Sequence, residues 1–283
     1  MTSSVEGMLA VFDVTPVGEH RYVGTSDAGD RDLIDASQYL AQAIVTAAKS
    51  VPAKTVRRAS GVFSRPVRAD SDIDFTVEIR HDGRLFASVI VTVSQGERAC
   101  ATVTVLLDVP SADVIRHRAV VPTSTPAEAI ECVMPMTGRQ LRLVGIADPN
   151  DPDHVGDPRI DAWLHYEEVP ERADLRRALL AHFTGHLSIS ATMCGHAGIG
   201  TAMSHRTVST APMAIEVSFH EPVDWDGWLL YEHESTFVGA GMSYVRGQIR
   251  TETGELVASF TQDAMIRPLD DAQVQALAER SRL

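Results

Sequence analysis

A short phrase occurs twice in this chain. Phe63-Ser64-Arg65-Pro66-Val67 is followed by a strand pattern and then His81-Asp82-Gly83, while Phe219-His220-Glu221-Pro222-Val223 is followed by a run of strand patterns closing at Ile266. The two phenylalanines stand 156 positions apart in a chain of 283 residues. Solenoid repeats recur every ~20–50 residues, so this spacing implies two copies of a domain-sized unit. Such copies form a pseudo-two-fold pair, with a pocket expected where they meet. The copies should superpose with Phe63 on Phe219 and Pro66 on Pro222.

The local patterns agree between the halves. Leu9–Val14 alternates and reads as a strand, followed by a turn at Pro16-Val17-Gly18 and a second strand at Arg21–Gly24. From Asp35, a candidate cap, the period changes: Ala36, Tyr39, Leu40, Ala43, Ile44 and Ala47 fall at helical spacing, and Val51-Pro52 ends the run. Strands follow at Arg58–Ser64, Asp74–Arg80, Ala87–Ser94 and Ala99–Leu107, the last two joined by a turn at Gln95-Gly96-Glu97. After a stretch rich in Pro, Ser and Thr come a strand at Gln140–Val144, an acidic loop, and a strand at Ala162–Tyr166. A long helix carrying Leu175, Leu179, His182, Phe183 and His186 precedes strands at Ala214–Phe219, Trp228–Ser235, Met242–Thr251 and Glu255–Ile266. Each half thus predicts one apolar helix buried against an antiparallel sheet, the α+β hot-dog arrangement, here in tandem. The expected units are 1–108 and 139–270, with a linker at 109–138 and a tail helix at 271–283.

A net charge of −13 argues against nucleic-acid binding, which needs clustered cations to neutralise phosphates. Cys100, Cys132 and Cys194 are odd in number and lack metal-finger spacing, and no His-Glu-x-x-His signature occurs, so neither disulfides nor a metal or other cofactor is expected. No stretch approaches the ~20 apolar residues of a membrane span, and the first residues do not resemble a signal peptide. The expectation is a cytoplasmic protein.

The second half carries a specific combination: Phe219-His220-Glu221-Pro222, Trp228-Leu229-Leu230-Tyr231, Glu234-Ser235-Thr236, Arg246-Gly247, Gly254–Ser259 and Thr261–Arg267. With Phe63–Pro66, Glu78, Asp82-Gly83 and Phe86 echoing it in the first half, the chain resembles the type II acyl-CoA thioesterases over almost its whole length. The resemblance implies a double hot-dog fold, hydrolysis of a fatty or related acyl-CoA to acid and CoA, and a homo-oligomer. It also implies a water held by a helix Asp, a Thr or Ser, and a Gln. Thr236 matches the hydroxyl and Gln262 the glutamine. The Asp has no match: in Leu179–His186, Gly185 takes its place with His186 beside it.

Thr236 and Gln262 can hold a water, but neither is a base near neutral pH. An imidazole with an ordinary pKa of about 6.5 can take that proton, which makes His186 the candidate base and His182, one turn earlier, the reserve. Backbone N–H groups at a buried helix N-terminus can receive the oxyanion. Arg57, Arg58, Arg65 and Arg68, with Lys54, form the densest basic cluster and are candidates for the CoA phosphates. Gly239-Ala240-Gly241 reads as a bulge or close-packed strand segment rather than a phosphate loop, and Trp163, Trp225 and Trp228 as packing residues. Two rivals remain: a non-catalytic acyl-thioester binder that lost its base, and a hydratase or dehydratase of the same fold. The latter needs a His paired with a carboxylate, and the helix after Asp35 offers no His.

Overall fold

The computed structural model describes residues 4–29, 31–132, 134, 136–146, 148–222 and 227–269. The expected tail helix and Trp225 lie outside these residues. The first unit runs α1 (Val5–Phe12), β1 (Thr15–Gly18), β2 (Arg21–Gly24), α2 (Ala36–Ser50), β3 (Thr55–Phe63), β4 (Ile73–Asp82), β5 (Phe86–Gln95) and β6 (Arg98–Asp108). The chain then continues through β7 (Ile130–Glu131), β8 (Arg139–Leu143), β9 (Arg159–Tyr166), α3 (Ala173–Thr184), α4 (Ser188–Met193), β10 (Val208–Phe219), β11 (Leu229–Gly239), β12 (Met242–Thr251) and β13 (Leu256–Pro268).

All of the strands join one antiparallel sheet, in the order β1-β2-β4-β5-β6-β3-β10-β13-β12-β11-β9-β8-β7. Six strands on one side of the β3–β10 seam are mirrored by six on the other, with β7 added at the edge. The register makes the duplication explicit. Ser60 pairs with Glu216 across the seam, its own equivalent at the 156-residue offset, and Ala59–Val217 and Gly61–Ile215 are equivalent pairs about that point. The offset continues outward: Val77 pairs with Val91 in the first unit, and His233 with Gly247 in the second. Phe63 and Phe219 therefore occupy equivalent positions near the strand ends, both buried.

Strand periodicity sets the faces. On β4 the inner side chains are Ile73, Phe75 and Val77; on β11 they are Leu229, Tyr231, His233 and Ser235. Helix α2 is buried along most of its length against β3–β6 and packs on α3. The amide Nε2 of its buried Gln42 donates to the carbonyls of Val11 at 2.9 Å and Thr25 at 2.8 Å, while Oε1 has no partner among the described residues.

Four local expectations are corrected. Leu9–Val14 lies largely in helix α1 rather than a strand: Ser4 caps it by accepting from the Gly7 N–H at 3.0 Å, and Val5, Met8 and Phe12 form its buried face at helical spacing. Asp35 sits at the N-cap of α2 but makes no capping bond, because its carboxylate is held by Arg31. The second long helix breaks: Gly185 ends α3 and Leu187, at φ +62°, precedes α4. Gly239-Ala240-Gly241 is the β11–β12 hairpin turn, with Ala240 and Gly241 at positive φ, rather than a bulge.

Candidate active site

The break between α3 and α4 lies against the N-terminus of α2. A Cβ on Gly185 would stand 2.5 Å from the Cβ of Ser37, so this approach requires a glycine. A carboxylate cannot occupy 185 because the other unit's helix fills the space. The turn carries His186 beside it, and the ring is fixed: Nδ1 donates to the His182 carbonyl at 3.1 Å, and the ring stacks on Phe183 at 5.2 Å. With Nδ1 protonated, the neutral imidazole keeps its lone pair on Nε2.

Gln262, fully buried on β13, reaches the same turn from below. Its Nε2 donates to the Gly185 carbonyl at 3.5 Å, while Oε1 has no partner among the described residues. This places the Gln262 amide against the turn that carries His186. Thr236 is not with them. It is exposed on the outer face of the sheet, its Oγ1 on the Tyr244 carbonyl at 3.5 Å, whereas the preceding Ser235 points inward and accepts from Thr192 Oγ1 at 2.9 Å. The period-two pattern Tyr231, His233, Ser235 is the sequence signal for that inward face.

Two chambers flank His186. One, of about 570 Å³, lies within the second half and includes Gly185, His186, Leu187, Ser190, Thr201 and Thr210 in its wall. Thr210 is a buried hydroxyl on β10 that the sequence did not single out; nothing in its surroundings along the chain marks it. The other, of about 300 Å³, lies between the units, with Asp35 and Gln38 from one side and Arg139, His182 and His186 from the other.

Charges around the imidazole come from both units. Burial lowers the His186 pKa, Asp35 opposes this, and Arg139 and Arg31 add to it; His182, fully enclosed, is pushed well below the usual histidine range. Burial would raise the Asp35 carboxyl, but the hydrogen bonds from Arg31 at 2.9 and 2.8 Å, together with the positive charges of Arg31, His186 and His182, outweigh it and hold the pKa at about 2. The carboxylate absent from position 185 thus has a counterpart 150 residues away in sequence, across the unit boundary.

The basic cluster is a correction. Arg57 pairs with Asp108 at 3.0 Å and donates to the Phe219 and His220 carbonyls, Arg58 pairs with Glu216, and Arg68 pairs with Asp70 at 2.9 Å. Arg65 donates to the Ala99 carbonyl at 2.9 Å. Their charge is largely matched by neighbouring carboxylates, and Arg57 and Arg58 stitch the seam between the units. None of the four lines either chamber.

The profile of the acyl-CoA thioesterase C-terminal domain matches residues 118–266, and that of the N-terminal domain matches residues 36–107. The chain belongs to the acyl-CoA thioesterase family. Among its relatives, acyl-CoA thioesterase 2 of Haemophilus influenzae is 22% identical over 94% of this chain and 99% of its own length. Among solved structures, a TesB protein of Mycobacterium avium subsp. paratuberculosis is 20% identical with a TM-score of 0.78, covering 94% of this chain and all of that one. A hot-dog protein of unknown function from Alicyclobacillus acidocaldarius is 17% identical with a TM-score of 0.72, covering 93% and 98%. The fold of this thioesterase-family chain is the double hot-dog.

Proposed function

We propose that this family member hydrolyses acyl-CoA with His186 as the general base. The observation that carries the reading is the placement of His186: one imidazole, its Nδ1 on the His182 carbonyl, forms a wall of both chambers, and the Gln262 amide holds the adjacent Gly185 carbonyl. In this mechanism Nε2 takes a proton from a water oriented by Gln262, and the water oxygen attacks the thioester carbonyl. The tetrahedral oxyanion forms near the N-terminus of α2, whose first-turn N–H groups lack a side-chain cap and carry the positive end of the helix dipole. Collapse breaks the C–S bond, and the imidazolium returns its proton to the departing sulfur, leaving free acid and CoA. Asp35 stabilises the imidazolium as a fixed negative charge. Thr210 takes the hydroxyl role first assigned to Thr236.

Asp35, which lines the smaller chamber with His182 and His186, also brings a carboxylate and imidazoles together as a hydratase requires, which the sequence alone did not. A carboxyl with a pKa of about 2 stays ionised at neutral pH and has no proton to deliver to an enoyl carbon, which favours hydrolysis over hydration. The deciding experiment is turnover of an acyl-CoA series followed with a thiol reagent, with wild type and His186→Ala. Thiol release that collapses in the variant supports the reading. Binding without release favours a non-catalytic binder, and water addition to an enoyl-CoA favours a hydratase.

A cytoplasmic setting belongs to the same proposal; among the described residues no helix is long and apolar enough to cross a membrane. So does a homo-oligomer. Val62, Leu106 and Tyr244 stand exposed on the outer side of the sheet, and light scattering at micromolar concentration tests whether they bring copies together.

A further inference from the structure

The smaller chamber contains an arginine that forms no ion pair among the described residues. Arg139, at the start of β8, is half-buried; its Nη2 donates to the Met134 carbonyl at 3.0 Å and its guanidinium lies 5.6 Å from the centre of the Phe183 ring. Its Nε is sealed from solvent and makes no hydrogen bond among the described residues, nor does any carboxylate among them form an ion pair with it. Buried cations are ordinarily paired. Here burial pushes the Arg139 pKa down, and only the nearby Tyr166, Cys132 and Tyr231 oppose this.

Asp35 is paired with Arg31, and Asp27, whose Oδ1 accepts from the Gly29 N–H at 3.0 Å, faces Arg31 and forms no ion pair with Arg139 among the described residues. Met8, Met134 and Met136 supply apolar wall, and His186 closes one end. A space of about 300 Å³ ending at the catalytic imidazole suits a short acyl chain. We infer that the smaller chamber accepts a short acyl group ending in a carboxylate, with the Arg139 guanidinium as its counter-ion. The substrate class is then an ω-carboxyacyl thioester, and the inference rests on the hydrolase reading above. A guanidinium binds carboxylates strongly, and a buried polar group left unmatched by an apolar tail is what gives such a site its discrimination.

The test compares succinyl-CoA with butyryl-CoA, equal in chain length, using wild type, Arg139→Lys and Arg139→Met, with folding of each variant checked by thermal melting. The expected result is a wild-type kcat/KM ratio favouring succinyl-CoA, which falls on the order of 10²-fold in Arg139→Met and less in Arg139→Lys. A wild type favouring butyryl-CoA, or a ratio unaltered in Arg139→Met, overturns the inference. Phosphates of CoA are the other possible anion, and the same pair as N-acetylcysteamine esters, which lack them, separates the two. A ratio that persists and still depends on Arg139 supports the acyl carboxylate; a ratio that vanishes overturns it. If wild type releases thiol from neither CoA ester, the hydrolase reading fails instead. Binding of the corresponding non-hydrolysable thioethers, with and without the carboxylate, then decides the preference of the chamber by itself.

Discussion

A Cβ on residue 185 would meet Ser37 Cβ at 2.5 Å and its Oγ at 2.6 Å, so Gly185→Ala should destabilise by about 1–3 kcal/mol through overpacking. Ser37→Gly should recover part of that loss, and denaturant unfolding of both single variants and the double variant measures the coupling. His186 beside it tests the chemistry. His186→Ala should lower kcat by ~10²–10⁴-fold with little change in KM, since the imidazole acts on the water rather than on the bound acyl group. Asp35 raises the His186 pKa, while burial and the cations Arg139 and Arg31 lower it, and the net shift is downward. Only the neutral ring accepts a proton, so kcat should be flat above pH ~6.5 and fall on acidification below it. A rate that instead falls as pH rises from 6.5 to 8 would remove His186 as the base.

Among the elements, α2 does the most to hold the site in place, since it fills the first unit's sheet and presents its N-terminus to Gly185. The Gln42 amide ties this helix to the end of α1 and to the segment after β2, so Gln42→Leu strands two carbonyls and should cost about 1–3 kcal/mol, read as a lower midpoint in urea. At β11 the alternation of faces is equally telling. Thr236 shares the outer side with Glu232 and Glu234, so Thr236→Val should leave turnover close to wild type, whereas Thr210→Val, inside the larger chamber, should depress it. Equal losses in both variants would contradict this assignment of the hydroxyl.

Over the whole molecule, enclosed histidines make stability depend on pH. His233 is fully buried, its Nδ1 on the Ile160 carbonyl at 3.2 Å, and burial lowers its pKa to about 4. In the unfolded chain it returns to about 6.5. Between these values the unfolded state binds the extra proton, so stability should drop as pH falls from about 6.5 to 4, by up to about 3 kcal/mol from this residue. Thermal melts of wild type and His233→Gln across that window should converge at the acid end. The division into units around 109–138 is a further proposal at this scale, and limited proteolysis of the native protein tests whether cleavage concentrates there.

The sequence by itself determined the tandem architecture. The 156-residue offset between Phe63 and Phe219 recurs in the Ser60–Glu216 pairing because strand register follows the alternation of buried and exposed side chains. The approach of Gln262 to the Gly185-His186 turn was legible for a related reason: each lies in a motif with a local chemical meaning. Thr236 was misplaced because on a strand a shift of one residue changes the face, and it falls on the outer one. Helix α1 was misread because six residues of alternation do not outweigh a cap and a buried helical face. The α3–α4 break, the Asp35–His186 association, the burial of Arg139 without an ion pair among the described residues, and the pairing of Arg57 and Arg58 were decided only by the tertiary structure. Each depends on which residues from distant parts of the chain share a low-dielectric space, and a charge's partner in that space is set by packing of the two units against each other rather than by spacing along either one.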